Sequence, residues 1–397
     1  RTECKTGSKT DRLQMSENNR FCECFAKDCC WKNTKKKTRK SLIQLIATPL
    51  STDMSTNNID ISNKKVAIVL PVFNTEQYLS DCLDSIINQT HKNFIIFAID
   101  DESTDASPNI LKSYSIKDCR IHPIRIKNSG VSSARNVALE SIEKNGDFDY
   151  ISFIDSDDKL HPDFLESHLT SLVENNADIS ICGYAKLYGD NITKHRRFLS
   201  LSCLTQKQFA LLIFSLKGFD KTSSSGGMIW KQIYKANILK DVRFSTEHNI
   251  CEDELFNLKA ASKAKKFIYI PKILYSYRQR ENGTALTKNK EFSLQILRGR
   301  ILCVQFAKSI STTLEAICLS AYIQSFVSIV KKKDILVDIC ALNPATLAAY
   351  RQGYLSRKNF YLFILFCQHP TLAQIYRHFR SSFYNCKKAS LNFLTSI

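Results

Sequence analysis

The sequence predicts an α/β fold, with a mostly parallel sheet covered by helices on both faces and a helical C-terminal region. Two observations predict it. From Lys65 onward, short apolar runs alternate with amphipathic segments, as β-strands alternate with α-helices. The runs are continuously apolar, which is typical of strands buried on both faces. With 44% hydrophobic and 24% charged residues, the 397-residue chain also has the composition of a globular protein.

The first part of this sheet is predicted to alternate strand and helix. Strands are expected at Val66–Leu70, Phe94–Ile99, Ile121–Ile126, Tyr150–Ile154 and Ile179–Cys182. Helices are expected at Thr75–Asn88, from Asp105 to Lys117, at Ser132–Glu143 and at Pro162–Asn175. The first helix has a single apolar stripe, Asp105 is the expected N-cap of the second, and Pro162 opens the fourth. Parallel strands joined in this way end at one edge of the sheet, where ligands bind in such folds.

Beyond Tyr184 the alternation is less regular. A hairpin or flap is expected over Leu187–Leu199, and two short strands are expected on either side of Pro271. Helices are expected at Gln206–Leu216, Trp230–Leu239 and Glu252–Ala261, and from Lys290 to the end. The predicted domains are therefore the α/β domain at 64–289 and a helical basic region at 290–397.

Residues 1–63 are predicted to form an unstructured extension. Residues 1–53 lack sustained apolar periodicity and contain none of the motifs described below. The sequence enters a clean strand soon after Met54, so we expect native translation to start at Met54.

The net charge of +18 lies at the two ends of the chain. Residues 1–53 carry +6, residues 54–289 carry +2 and residues 290–397 carry +10. The near-neutral middle, without a nucleic-acid-binding motif, argues against a nucleic-acid partner, whereas the basic end favours contact with an anionic membrane.

No stretch reaches about 18 uncharged apolar residues, so no membrane span is expected. The 15 cysteines lack even spacing, which predicts reduced thiols in the cytoplasm.

A set of motifs lies at the predicted strand ends and at one later helix start. They are Pro71-Val72-Phe73-Asn74, Asp100-Asp101-Glu102-Ser103-Thr104-Asp105, Gly130-Val131-Ser132-Ser133-Ala134-Arg135-Asn136, Asp155-Ser156-Asp157-Asp158 and Glu252-Asp253-Glu254. As a set, spaced over about Val66 to Arg280, they resemble the family 2 glycosyltransferases, which are inverting enzymes with a Rossmann-like GT-A fold that use nucleotide sugars.

Asp155 and Asp157 are the candidate metal ligands. Two carboxylates one residue apart at a strand end can hold one hard divalent cation, Mn²⁺ or Mg²⁺, whose coordination is completed by diphosphate oxygens. The resemblance implies that Asp157 binds the metal directly and that Asp155 contacts the ribose or the metal. The alternative is a solvated acidic turn before the helix at Pro162.

Three other side chains are candidates for nucleotide binding. Asp101 can accept a hydrogen bond from a base N–H, and Phe73 can stack on the base. Arg135, one turn into a helix, suits an anion. The alternatives are helix capping for Asp101, core packing for Phe73 and a surface ion pair for Arg135. The resemblance implies uracil at this point and adds four residues to the nucleotide site: Pro71, Asn128, Gly130 and Asp155.

Glu252 and Asp253 are the candidate acids on the acceptor side. Inverting transfer needs a base that removes a proton from the acceptor hydroxyl as it attacks the anomeric carbon. The resemblance assigns this role to Asp253 and places Glu252 at the acceptor. The alternative is that both acids only complement the helix dipole. Trp230 is either a stacking platform for the acceptor sugar or a core residue.

The resemblance implies transfer of one sugar from a UDP-sugar to a glycan or lipid-linked acceptor. The expected setting is synthesis of bacterial surface polysaccharide or lipooligosaccharide, peripheral at the inner face of the cytoplasmic membrane. The chain lacks the Gln-x-x-Arg-Trp motif of processive synthases, which favours single-sugar transfer, and it has Glu102 where the family usually has glycine. The rival hypothesis is a catalytically silent protein that binds sugar nucleotides or glycans.

Overall fold

An eleven-stranded mixed sheet organises the part of the chain that the computed structural model describes. That part comprises residues 48–49, 59–188, 191–195, 200–216, 227–247, 250–280 and 290–330, with several positions between 349 and 363. The strands are β1 (Thr48–Pro49), β2 (Val66–Val72), β3 (Phe94–Asp100), β4 (Ile121–Arg125), β5 (Tyr150–Phe153), β6 (Lys159–Leu160), β7 (Ile179–Tyr188), β8 (Asn191–His195), β9 (Ser202–Leu204), β10 (Gln232–Lys235) and β11 (Phe267–Arg278). The helices are α1 (Glu76–Ile87), α2 (Ser107–Lys117), α3 (Val131–Lys144), α4 (Phe164–Glu174), α5 (Gln206–Ile213), α6 (Glu252–Lys263), α7 (Lys290–Lys308) and α8 (Thr312–Val330).

The strand order is β1-β9-β11-β7-β10-β5-β2-β3-β4, with β6 paired to β11 and β8 to β7. The segment β5-β2-β3-β4 is parallel throughout. All seven residues of β2 are buried. Ala67 and Val69 pack into the core with α3, while Ile68 and Leu70 pack into the opposite core with α1 and α4. Helices therefore cover both faces, and the α/β prediction is confirmed.

The other half of the sheet is mixed, and one predicted helix is wrong. The segment Trp230–Leu239 forms strand β10 and a short 3-10 helix, Ala236–Leu239. Strand β10 runs antiparallel between β5 and β7. Its residues Ile233 and Tyr234 are both fully buried. A four-residue strand with only two central apolar residues is too short to show the period that separates strand from helix, so its neighbours in the sheet decide.

Strand β11 is a single strand where two were predicted. It continues through Pro271 and pairs in parallel with β7, with register shifts between Ile270 and Ile273 and between Ile273 and Tyr275. The predicted hairpin is present as the antiparallel pair β7–β8, in which Tyr188 pairs with Asn191. The irregularity at Pro271 is expected, because proline has no N–H to donate to a ladder.

The C-terminal helices pack against the sheet domain. Cys303 of α7 and Ala321 of α8 are fully buried and belong to the same core as Phe256 of α6. The window Thr312–Ile329 is long and apolar enough to cross a membrane, with a mean hydropathy of 1.2, and 61% of it is buried inside the protein. Phe363 is also buried and makes an edge-to-face contact with Phe326, as expected if this part of the tail packs on the core.

Two predictions fall mostly on residues that the structure does not describe. In the predicted extension, residues 1–47 and 50–58 lie outside the described residues, while Thr48–Pro49 form β1, paired antiparallel to β9. In the basic tail, residues 331–348 and 364–397 lie outside them.

Candidate active site at the carboxyl edge of the sheet

The buried guanidinium of Arg135 lies at the centre of the candidate site. Arg135 is one turn into α3, and its side chain is only 4% exposed. Its Nη1 donates to Oδ1 of Asp253 at 3.0 Å, and its Nη2 donates to Oδ1 of Asp155 at 3.1 Å. Oε1 of Glu252 lies 3.6 Å from Nη1. One side chain thus joins the acids that follow β5 to those that open α6.

Burial shapes the charges around Arg135. Desolvation works against the guanidinium charge, but Asp253, Asp155 and Glu252 outweigh it and raise the pKa of Arg135. Desolvation raises the pKa of Asp253 to about 6, although Arg135 acts in the opposite direction. Desolvation and the charge of Asp253 together raise the pKa of Glu252 to about 8. A carboxyl with a pKa near neutrality is well suited to exchange a proton with a substrate.

Asp157 is paired with a second arginine. Nε of Arg280 lies 2.7 Å from Oδ2 of Asp157, whose side chain is 13% exposed. Desolvation and the charge of Asp155 raise the pKa of Asp157. Arg278 and Arg280 both lie over the ring of Tyr78, at 4.8 and 6.0 Å from its centroid. The acidic turn is therefore bordered by cations from the end of β11.

Asp158 anchors the acidic turn, residues 155–158, to strand β11. Its side chain is fully buried and accepts the Tyr275 hydroxyl and the backbone N–H of Arg278, both at 2.7 Å. The backbone N–H of Asp155 donates to the same Tyr275 oxygen at 3.3 Å. Burial raises the pKa of Asp158 well above its ordinary value. Sequence reasoning missed Asp158, Tyr275, Arg278 and Arg280, although three acids within four positions were a visible signal for Asp158.

Asp101 holds the loop that leads into α3. It is 4% exposed, and its two oxygens accept the backbone N–H groups of Ser129 and Gly130 at 2.8 and 2.9 Å. Gly130 has φ +86°, a conformation that glycine adopts without strain. Asp101 thus fixes the start of α3 and, through it, Arg135. The predicted contact of Asp101 with a base stays a prediction.

The other predicted nucleotide residues surround this loop. Phe73 is 47% exposed, as a stacking platform requires, and Pro71 is buried within β2. The backbone N–H of Asn128 donates to Oε2 of Glu102 at 3.2 Å. Glu102 has φ +62°, which explains why glycine suits this position.

Trp230 lies in the core. It is 1% exposed and stacks on Tyr275 and Tyr277, with centroid distances of 4.3 and 5.1 Å. Tyr184 meets its ring edge-on at 5.1 Å. Trp230 is therefore a core residue, which was the alternative to an acceptor platform, because the aromatic residues around it enclose its ring.

The pair Asp155 and Asp157 is compatible with a divalent cation. Among the described residues no group of three or more His, Cys, Asp and Glu side chains forms a metal cluster. Two carboxylates completed by diphosphate oxygens need no third protein ligand. The ion pairs with Arg135 and Arg280 each use one carboxylate oxygen. Burial and, after it, repulsion from Asp155 raise the pKa of Asp157, and a bound cation would relieve that repulsion.

Comparisons with known proteins show which proteins the chain resembles. Residues 67–240 match the family model Glycosyl transferase family 2. The chain is 36% identical to glycosyltransferase GlyA of Streptococcus pneumoniae over 221 residues, covering 55% of this chain and 31% of GlyA. It is 30% identical to the poly(ribitol-phosphate) beta-glucosyltransferase of Bacillus spizizenii over 225 residues, covering 55% of this chain and 33% of that enzyme. The chain thus spans about a third of the length of these two relatives.

The fold also matches a solved structure. A crystal structure of S. aureus TarS residues 1–349 in complex with UDP-GlcNAc superposes with a TM-score of 0.62 at 20% identity. The match covers 81% of this chain and 92% of the TarS chain. The described fold is therefore that of a GT-A domain followed by helices.

Proposed function

We propose, from the family 2 glycosyltransferase domain that residues 67–240 form, that the chain is an inverting glycosyltransferase. It moves one sugar from a UDP-sugar to a glycan or lipid-linked acceptor in the synthesis of bacterial surface polysaccharide. The relatives GlyA and the poly(ribitol-phosphate) beta-glucosyltransferase support the reaction class. TarS, which shares the fold, was crystallised with UDP-GlcNAc, so UDP-sugars are the donors to test first.

The observation that carries the proposal is the bridge through Arg135. It holds Asp155, on the donor side, and Asp253, on the acceptor side, by two nitrogens of one guanidinium. Inverting transfer needs a leaving group and a base on opposite sides of one anomeric carbon. Because both carboxylates are bound to one guanidinium, Arg135 fixes the donor-side Asp155 and the acceptor-side Asp253 relative to each other.

Each acid then has a distinct role. Asp253 takes the proton of the acceptor hydroxyl as that oxygen attacks, and Glu252 lies beside it to orient the acceptor. Asp155 and Asp157 would hold Mn²⁺ or Mg²⁺, and the bound cation would supply positive charge near the leaving diphosphate. Phe73 stacks on the uracil, and Asp101 holds the loop that borders it.

The test is a screen of UDP-sugars for Mn²⁺-dependent release of UDP in the presence of candidate acceptors. We expect release with at least one donor, loss of release in excess chelator, and recovery on adding Mn²⁺ or Mg²⁺. Asp253→Asn is the control, because it should bind UDP and turn over slowly. Binding of UDP-sugars with no release by the intact chain would favour the silent binding protein instead.

A second part of the proposal concerns location. The +10 charge of residues 290–397 supports peripheral contact with the anionic inner face of the cytoplasmic membrane, each Lys or Arg near the surface contributing about 1 kcal/mol. Co-sedimentation with anionic vesicles, absent with neutral vesicles and lost in high salt, is the expected result. Binding that survives removal of residues 350–397 would show that this tail does not carry it.

A further inference from the structure

The first turn of α6 contacts two arginines from different helices, the buried Arg135 of α3 and the partly buried Arg300 of α7. Asp253 points to Arg135 of α3, as described above. The next residue, Glu254, points the other way and accepts two hydrogen bonds from Arg300 of α7: Nη2 to Oε1 at 2.8 Å and Nε to Oε2 at 3.1 Å. A bidentate pair of this kind fixes orientation as well as distance. The side chains of Glu254 and Arg300 are only 14% and 17% exposed.

Arg300 is itself held by α8. Its Nη1 donates to the backbone oxygen of Ala321 at 2.9 Å and to the Ser325 hydroxyl. The guanidinium therefore ties three helices together at one point: α6 through Glu254, α7 through its own backbone, and α8 through two acceptors. Such a fully engaged arginine has little freedom to follow Glu254 if the first turn of α6 moves.

The backbone of α7 also lies directly against the turn that opens α6. A Cβ atom built on Gly299 would lie 2.6 Å from the backbone oxygen of Ile250 and 2.9 Å from Cβ of Cys251. Cys251, the N-cap of α6, has φ +65° and makes no capping hydrogen bond with its side chain. The start of α6 is thus a strained turn without a side-chain cap, and the backbone of α7 packs directly against it.

We propose that Arg300 is a positioning residue for the reaction: through Glu254 it sets the rotation and place of the first turn of α6, and so the position of Asp253 against Arg135. The inference rests on the proposed function, since it takes Asp253 as the base. It assigns the C-terminal helices a role in the active site. A displacement of a reacting group by about 1 Å is enough to lower a rate by about 100-fold.

The first experiment compares Arg300→Lys with Arg298→Lys. Lysine keeps the charge but cannot make the bidentate contact. Arg298 is on the same helix, is 61% exposed and pairs only loosely with Glu291, at 3.5 Å. We expect Arg300→Lys to lower kcat by about 10- to 100-fold with the donor KM changed less than about twofold, and Arg298→Lys to leave both unchanged. Wild-type kcat in Arg300→Lys would overturn the inference.

A double-mutant cycle separates positioning from loss of stability. If Arg300 acts through Asp253, then Arg300→Lys should lower kcat little further in an Asp253→Asn background. Additive losses in the cycle would contradict the inference, because they would mean that Arg300 acts elsewhere. The same cycle with Glu254→Gln should also be non-additive, since Glu254 is the link between the two.

Hydrogen exchange tests the positioning without any turnover. The backbone amides of residues 252–256 should exchange faster in Arg300→Lys than in the wild type or in Arg298→Lys. If no donor is turned over by the wild type, the proposed function fails while this exchange result still decides the positioning. Unchanged exchange at these amides, in a variant with normal thermal stability, would refute it.

Discussion

Two groups of carboxylates lie at the same edge of the sheet and are neutralised in different ways. The backbone-bound pair, Asp100 and Asp101, accepts N–H groups of nearby loops, and Asp100 also pairs with the half-exposed Arg125. Oδ1 of Asp100 accepts the N–H of Ser103 at 2.9 Å, and Asp101 accepts those of Ser129 and Gly130. Such partners are part of the loop that the carboxylate shapes, so these acids act mainly to hold the chain in place.

The arginine-bound acids, Asp155, Glu252 and Asp253, depend on a side chain. All three face Arg135, which is 118 residues away from Asp253 in sequence. A guanidinium can be shared and re-paired when a substrate arrives, whereas a loop amide cannot. We therefore expect the carboxylates bound to backbone to build the candidate site, and the carboxylates that share one guanidinium to be the ones available for chemistry.

The largest expected effect follows from removing the shared partner. Arg135→Met removes a buried cation and leaves Asp155, Glu252 and Asp253, which are only partly exposed, without it, so the free energy of unfolding should fall by about 3–5 kcal/mol. Turnover should be lost as well. Urea denaturation of the purified variant measures the first effect. A variant as stable as the wild type would show that the acids are neutralised by something else.

Asp253→Asn removes the base and keeps the shape. Loss of a general base typically lowers turnover by about 10²- to 10⁴-fold, while UDP should still bind because the donor side is untouched. Release of UDP measures the turnover of the variant, and calorimetry measures its affinity for UDP. Near-normal turnover would indicate that Glu252, and not Asp253, is the base.

The backbone-bound pair should behave differently. Asp101→Ala leaves the N–H groups of Ser129 and Gly130 without their acceptor, which we expect to cost about 1–3 kcal/mol of folding stability. Denaturant unfolding is the measurement. If the variant keeps full stability, then Asp101 does not hold this loop, and its predicted contact with the base would become its main role.

The pH dependence of turnover reports on the arginine-bound acids. Asp253 must be charged to act as a base, and burial raises its pKa from 3.8 to about 6. As pH falls below about 6, kcat should therefore decline about tenfold per pH unit, since the charged fraction does so. A profile that stays flat down to pH 4 would show that the base has an ordinary pKa.

The smallest effect is expected at Arg125, which pairs with Asp100 but is 52% exposed. Arg125→Met should lower the free energy of unfolding by at most about 1 kcal/mol, because exposed ion pairs contribute little and Asp100 keeps the Ser103 amide. This variant is the matched control for Arg135→Met. A loss as large as that of Arg135→Met would remove the distinction between the two groups.

Much of the parallel half of the fold was predictable from local pattern. Val66–Val72 and Phe94–Asp100 are buried almost throughout, as their unbroken apolar runs indicated. The acids at the strand end and at the start of α6 were visible as motifs, and both acidic motifs lie at the predicted edge. Local sequence is enough to predict these strands, because every residue of a strand that is buried on both faces tends to be apolar.

The sequence alone therefore predicted the α/β alternation, the edge that carries the candidate site and the acids proposed to form it. Tertiary structure alone decided that Arg135 pairs with carboxylates, that residues 232–235 form a strand, that Trp230 is buried, and that Arg300 reaches Glu254. The reason is physical. A period or a motif reports only on neighbours along the chain, whereas these contacts join segments 46 to 118 residues apart, whose meeting depends on how whole helices pack on the sheet.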